Sequence, residues 1–259
     1  MVKTMKRRIF SGAVCEQYVY NVSSNVKNIK SYEPRPRFKD KEERIRHREE
    51  IAKRNHARSF NNQFSPESIY STLTFDDDCE LHTYKDAKRV ARNFLRTLQY
   101  AYPDAVAYLY MGKGKTTHRI HFHMVSQGIP KEFIDSKWKY GRIKRISNLR
   151  EHNYYDGVDH GRDYTGLANY LFEHWTPEQG GHHWMRIGTI RKPEKEDPTE
   201  VKVYGGYSAK RPPQPPKGYK LVEVQGNKYG YWYFKYVVEP PRDPRRSGGG
   251  TNRAQTRKE

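Results

Sequence analysis

The stretch Arg119-Ile120-His121-Phe122-His123-Met124-Val125 sets two imidazoles two residues apart inside an apolar, β-prone run. Successive side chains of a strand alternate between faces. Ile120, Phe122 and Met124 therefore turn toward a core, and Arg119, His121 and His123 turn the other way. Residues two apart on one face are separated by roughly 6.5–7 Å, from which both rings can lean onto a single divalent ion. A bare His-x-His also fits two unrelated histidines on a polar sheet face, so its meaning is decided by its neighbours.

Upstream, Gly112-Lys113-Gly114-Lys115 reads as a tight connection between a strand at 105–111 and the histidine strand at 118–126, a β-hairpin. Before it, Ala87, Val90, Ala91, Phe94, Leu95 and Leu98 recur at helical spacing within 83–102, and Pro103-Asp104 closes that helix. The β-branched and aromatic run 69–75, entered through Ser65-Pro66-Glu67 and broken by Asp76-Asp77-Asp78, predicts the first core strand. Downstream come a short helix at 130–137, a strand at 141–147, a polar loop at 150–162 and a helix at 167–175. This order predicts an α+β sandwich.

In the last helix Leu167, Leu171 and Trp175 form an i, i+4, i+8 stripe, with Tyr164 and Ala168 near it. Tyr164 reads as core or helix entry. Tyr170 lies on the flank with Glu173 and His174, three and four residues on, where a reactive phenol with polar helpers would sit.

The flanks are charged. Residues 1–40 mix Lys and Arg with Ser, Asn and Pro, and Glu33-Pro34-Arg35-Pro36-Arg37 excludes regular helix, so they read as an arm. Segment 40–58 places Glu42 and Glu43 early and Lys53, Arg54 and Arg58 late, the order that suits a helix dipole; a solvent-facing helix anchored weakly by Ile45 and Ile51 is expected. Segments 219–224 and 229–238 flank Gln225-Gly226-Asn227 as a hairpin, and from Pro240 the chain has little to bury. The expected division is 1–62 basic arm and charged helix, 63–200 folded domain, 201–239 hairpin appendage and 240–259 disordered basic tail.

The 259 residues hold 49 Lys and Arg against 30 Asp and Glu, a formal charge of +19, and only 34% are hydrophobic. No run approaches the ~20 apolar residues of a spanning helix, and no apolar segment follows the basic N-terminus as in a secretory signal. A cytoplasmic protein is expected. Cys15 and Cys79 are too few for a disulfide framework, and neither has the second Cys of a zinc knuckle close by. The positive charge attracts polyanions, and 21 Tyr, 10 Phe and 4 Trp offer faces on which unpaired bases stack. Nucleic acid is the leading partner class.

The segments Ser71-Thr72-Leu73-Thr74-Phe75, His121-Phe122-His123 and Leu167-Ala168-Asn169-Tyr170-Leu171, in this order, resemble the three motifs of HUH endonucleases. More narrowly, the chain resembles the rolling-circle replication-associated proteins of bacterial phages and plasmids. The likeness extends to Phe10-Ser11-Gly12 with Glu16 and Tyr18, to Pro34-Arg35-Pro36-Arg37, and to Ile190-Arg191-Lys192-Pro193.

The resemblance implies a ferredoxin-like α+β domain, with a central antiparallel sheet, helices packed on one face, and metal and DNA on the open face. It implies that His121 and His123 hold Mn²⁺ or Mg²⁺ and that Tyr170 attacks the scissile phosphate of single-stranded origin DNA. Tyr170 would keep the 5′ end as a phosphotyrosine, a covalent protein–DNA linkage from which strands are later rejoined to complete rolling-circle DNA replication. A host replication helicase or polymerase is the further partner class.

Many relatives have a Lys three residues after the tyrosine, where this chain has Glu173, and an acid shortly before the histidine strand, where it has Gly112-Lys113-Gly114-Lys115. The metal, or a Lys or Arg from elsewhere such as Lys144 or Arg145, is expected to steady the phenolate in place of that Lys. The third ligand stays unassigned among Asp76, Asp77, Asp78, Glu173 and His174; His118, on the other strand face, and His182-His183, in a Gly-rich turn, are weaker ligands. Three rivals remain: a relaxase or transposase of the same chemistry; a non-catalytic single-strand binder in which Tyr170 stacks and the two histidines line the sheet; and a structural nucleocapsid-like protein, which fits the basic arm and tail but gives no reason for the folded histidine strand.

Overall fold

A computed structural model describes residues 2–23, 39–76, 79, 83–114, 119–174, 182–202, 207–208, 210–227 and 230–239. The chain runs through β1 (Val2–Ser11), β2 (Val14–Ser23), α1 (Lys41–Gln63), β3 (Ile69–Thr74), α2 (Tyr84–Ala101), β4 (Val106–Lys113), β5 (Ile120–Gln127), α3 (Lys131–Lys137) and β6 (Ile143–Asn148). It continues through β7 (Tyr154–Tyr155), β8 (Val158–Asp159), α4 (Thr165–Phe172), β9 (Met185–Ile187), β10 (Glu194–Lys195), β11 (Thr199–Glu200), β12 (Tyr219–Gly226) and β13 (Trp232–Val238).

The fold is α+β, built on antiparallel sheets. In the central sheet the strands lie in the order β6-β3-β5-β4-β9. Its unit β3-α2-β4-β5-α3-β6 with the order β6-β3-β5-β4 is the split βαβ arrangement of ferredoxin-like folds. Helix α2 starts at Thr83, whose side chain accepts from the Asp86 amide. It buries the stripe Ala87, Val90, Ala91, Phe94, Leu95 and Leu98 against Leu73, Leu109, Phe122 and Met124 of the sheet, with Ile134 and Trp138 from the α3 segment completing this layer. Each such large apolar side chain removed from water contributes about 1.5–3 kcal/mol.

The second sheet face is not bare. Tyr108, Tyr110 and Val125 pack beneath Ala57 and Phe60 of α1, Phe64 just beyond it, and Ala168 and Leu171 of α4. The charged helix was expected to face solvent, but its last turns bury His56, Ala57, Phe60, Asn61 and Gln63. The expected anchors Ile45 and Ile51 are exposed. The reason is position: His56, Phe60 and Phe64 form a single i, i+4, i+8 stripe on the end that crosses the sheet.

The outer segments also differ from their expected roles as arm and appendage. Strands β1 and β2 form a hairpin, β2 pairs with β13, and β13 with β12, giving one sheet in the order β10-β1-β2-β13-β12, with β11 also on β1. Cys15 and Val19 of β2 and Phe234 and Tyr236 of β13 make its small core. The β1–β2 turn needs Gly12: at φ 59° a Cβ would meet the Asn61 carbonyl oxygen at 2.2 Å, and the Gly12 amide donates to Asn62 Oδ1 at 3.2 Å. The expected polar loop 150–162 contains the β7–β8 hairpin, turned by Asp156 and Gly157 at φ 47° and 77°.

Among the described residues no helix is long and apolar enough to cross a membrane. Segment 33–37, Asp77, Asp78, His118, Trp175 and the tail 240–259 lie outside the described residues.

Candidate functional site

Strand β5 lies between β3 and β4, and its alternation sends Phe122 and Met124 into the α2 layer and His123 to the opposite face. On β4, Gly112 stands opposite His121 and Tyr110 opposite His123. On β3, Thr72 pairs with His123 and Thr74 with His121. A Cβ on Gly112 would lie 2.8 Å from His174 Cδ2 and 2.9 Å from His121 Nε2, so a side chain there would occupy the space the imidazoles use.

Helix α4 brings the rest of the site, and its start is held from two other elements. Asn61 of α1 accepts from the Tyr164 amide at 2.8 Å and donates to Thr165 Oγ1 at 3.0 Å. Asp163, fully buried, accepts from the Thr165 amide at 2.9 Å and pairs with buried Lys235 of β13 at 2.5 Å. Burial works against the Asp163 carboxylate, but His160, Lys235 and Thr165 outweigh it and hold its pKa well below the usual carboxylate range.

The end of α4 sets Tyr170 and His174 over β5. The Tyr170 ring lies 4.2 Å from the His174 ring and 5.8 Å from the His123 ring, and the His174 and His123 rings are 4.7 Å apart. His121, His123 and His174 each offer one nitrogen, all within 4.8 Å of one another; this is the group of metal-type side chains found among the described residues.

Hydrogen bonding orients the three imidazoles. His174 Nδ1 lies 2.8 Å from the Tyr170 carbonyl oxygen. A carbonyl only accepts, so Nδ1 carries the proton and the ring's lone pair is on Nε2. His121 has the same arrangement toward the Arg119 carbonyl, at a longer 3.4 Å. His123 Nδ1 lies 2.7 Å from the Tyr70 hydroxyl, which serves either tautomer, and its Nε2 is 3.1 Å from His121 Nε2. With Nδ1 protonated on all three rings, three lone pairs converge, an arrangement that a cation satisfies. Burial, with His121 and His174 nearby, lowers the His123 pKa to about 3, and burial lowers that of His121 also. Both rings are therefore neutral, the state in which imidazole is a ligand.

His121, His123, His174 and Tyr170 thus come together. Tyr164 is buried, and its hydroxyl donates to the Arg150 carbonyl at 3.1 Å. Glu173 turns away to pair with Lys53 of α1, and Asp76 is not in the histidine group. His183 stacks on Phe172 at 4.0 Å, outside that group. Arg145 lies over the Tyr70 ring, 5.5 Å from its centre, and Lys144 acts electrostatically on His121. Tyr70 and Gly112 were missed in the sequence, although both follow from strand register. Asn61 and Lys235 carry no local signal.

No family model, curated protein or solved structure matches this chain.

Proposed function

We propose that the protein is a site-specific nuclease and strand transferase of single-stranded DNA that starts rolling-circle replication in the cytoplasm of a bacterial host, with Tyr170 as nucleophile. The observation that carries this reading is the Tyr170 ring, half-exposed at the edge of the three-histidine cluster. Its phenol oxygen would form a bond to phosphorus as the bond to the 3′ oxygen breaks. The phenolic proton passes to solvent, and the leaving 3′ oxygen takes one up. The phosphotyrosine retains the energy of the phosphodiester, so attack by a 3′-hydroxyl reverses the step and rejoins strands.

His121, His123 and His174 would hold a divalent ion, which at that place draws charge from the phosphate oxygens. Three nitrogen donors suit Mn²⁺ better than Mg²⁺, which favours an all-oxygen shell. Tyr70 would fix the His123 ring, and Arg145, over Tyr70, would meet the incoming backbone.

The test is incubation of the protein with a randomised pool of single-stranded oligonucleotides and Mn²⁺, followed by denaturation and mass spectrometry. A nucleotide on Tyr170 supports the proposal. Binding with neither adduct nor metal requirement would favour the non-catalytic reading.

A further inference from the structure

Apart from the histidine cluster, a cleft of about 350 Å³ opens between the outer sheet on one side and α1 and α4 on the other. Its volume lies within the ~300–1,000 Å³ usual for small-ligand sites. We propose that this cleft takes one unpaired base of the single-stranded DNA, next in line to the phosphate that Tyr170 attacks; this rests on the function proposed above and names where its base selection lies.

Four observations support it. The first is continuity: Asn169, which lines the cleft, immediately precedes Tyr170 on α4, so a strand with its phosphate at Tyr170 passes the cleft mouth. The second is the wall. Tyr231 and Tyr233, cleft residues on the β13 side, flank Tyr18 with ring centres at 6.4 and 5.3 Å, and Tyr231 is exposed. Aromatic faces of this kind stack bases of any sequence.

The third observation is unpaired polarity. Ser11, at 1% exposure, and Asn169 both line the cleft, and the Ser11 Oγ and Asn169 Oδ1 atoms are buried without a hydrogen-bond partner. Buried polar atoms are rarely left so, and the edge of a base supplies the missing groups. The orphan carbonyl oxygen of Asn169 calls for a donor, which cytosine supplies with its exocyclic amine at the ring position where thymine carries a carbonyl oxygen.

The fourth is charge. Glu16, at the cleft floor, is neutralised by Arg58 and accepts from the Tyr18 hydroxyl at 2.8 Å and the Tyr233 hydroxyl at 3.3 Å. Arg54 is exposed and makes no ion pair among the described residues, so its guanidinium is available to a phosphate at the rim. A neutral, hydrogen-bonding floor under a rim on which Arg54 stands with Glu50 and Glu223 fits a base below and a single phosphate at Arg54 above.

The experiment is photo-crosslinking of the full chain carrying Tyr170→Phe, which cannot form the adduct, to single-stranded oligonucleotides with 5-iodocytosine at successive positions. The expected result is a crosslink at one position, mapped by mass spectrometry to Tyr231 or its neighbours, and lost in Tyr231→Ala. In the same background, replacing that cytosine by thymine or an abasic site should weaken binding by about tenfold, and Asn169→Ala should remove the difference. Crosslinks scattered over the surface, or an unchanged cytosine preference in both variants, would overturn the cleft even if wild-type chain forms the Tyr170 adduct. A mapped crosslink without any wild-type adduct would instead keep the cleft and remove the nuclease reading.

Discussion

His174 Nδ1 donates to the backbone carbonyl of Tyr170 across one helical turn at 2.8 Å, so the residue that presents the phenol also sets the tautomer of the third imidazole. The histidine cluster and the phenol of Tyr170, the proposed nucleophile, are therefore one unit. His174→Ala, His121→Ala and His123→Ala should each remove Mn²⁺ binding, read by calorimetry or electron paramagnetic resonance, and with it nicking. His121 and His174 are only partly buried, so their variants should melt like wild type. Wild-type Mn²⁺ affinity in His174→Ala would exclude it as the third ligand.

Tyr70→Phe tests the orienting bond to His123. Loss of such a partner typically lowers metal affinity about 10–100-fold while the ligands stay in place. An unchanged affinity would mean that packing alone holds the ring.

Gly112→Ala should act from the opposite strand. The new methyl would press on His121 and His174 at under 3 Å, pushing the imidazoles apart while the α2 layer is untouched. The expected result is weaker Mn²⁺ binding and slower nicking at a melting temperature close to wild type.

Tyr170→Phe should eliminate the denaturation-resistant DNA adduct, whereas Tyr164→Phe should keep it. The buried Tyr164 hydroxyl contributes one hydrogen bond to Arg150, so its loss should cost about 1 kcal/mol of stability. Peptide mapping that locates the nucleotide on Tyr164 would reverse the assignment.

Acid should weaken the fold through His56. This ring is buried, lies 2.8 Å from the Tyr110 hydroxyl and has its pKa lowered to about 3, by burial first and then by His183. The unfolded chain protonates its histidines near pH ~6.5. Between that pH and 3 the unfolded state therefore binds the extra proton, and stability falls as pH falls, by at most about 1.4 kcal/mol per unit for this residue. Urea midpoints of His56→Gln should decline less steeply from pH 6.5 to 4; His123, also held neutral, keeps its own share of the slope.

What could be read in the sequence was what repeats locally. The alternation of β5 and the stripe of α2 each lie within a single element, and the hairpin and helix positions follow from them. Placing His174 ahead of Glu173 was not readable, because both follow Tyr170 by about one turn and the choice rests on Lys53 drawing Glu173 aside. The buried end of α1 was hidden by the surrounding charge. The outer sheet was hidden by distance: the Tyr233 hydroxyl reaches Glu16 across 217 residues, and no window along the chain contains both.

That distance has a consequence for the order of assembly. Helix α4 is anchored by Asp163 to Lys235, and Lys235 sits on a strand that pairs with β2. A ribosome releases Tyr170 long before Lys235, so an unfinished chain holds this tyrosine on a helix whose buried carboxylate has no lysine. On the proposed function, the helix that carries Tyr170 would gain its full anchoring only after β13 has left the ribosome, with Asn61 and the core packing of Ala168 and Leu171 holding it until then.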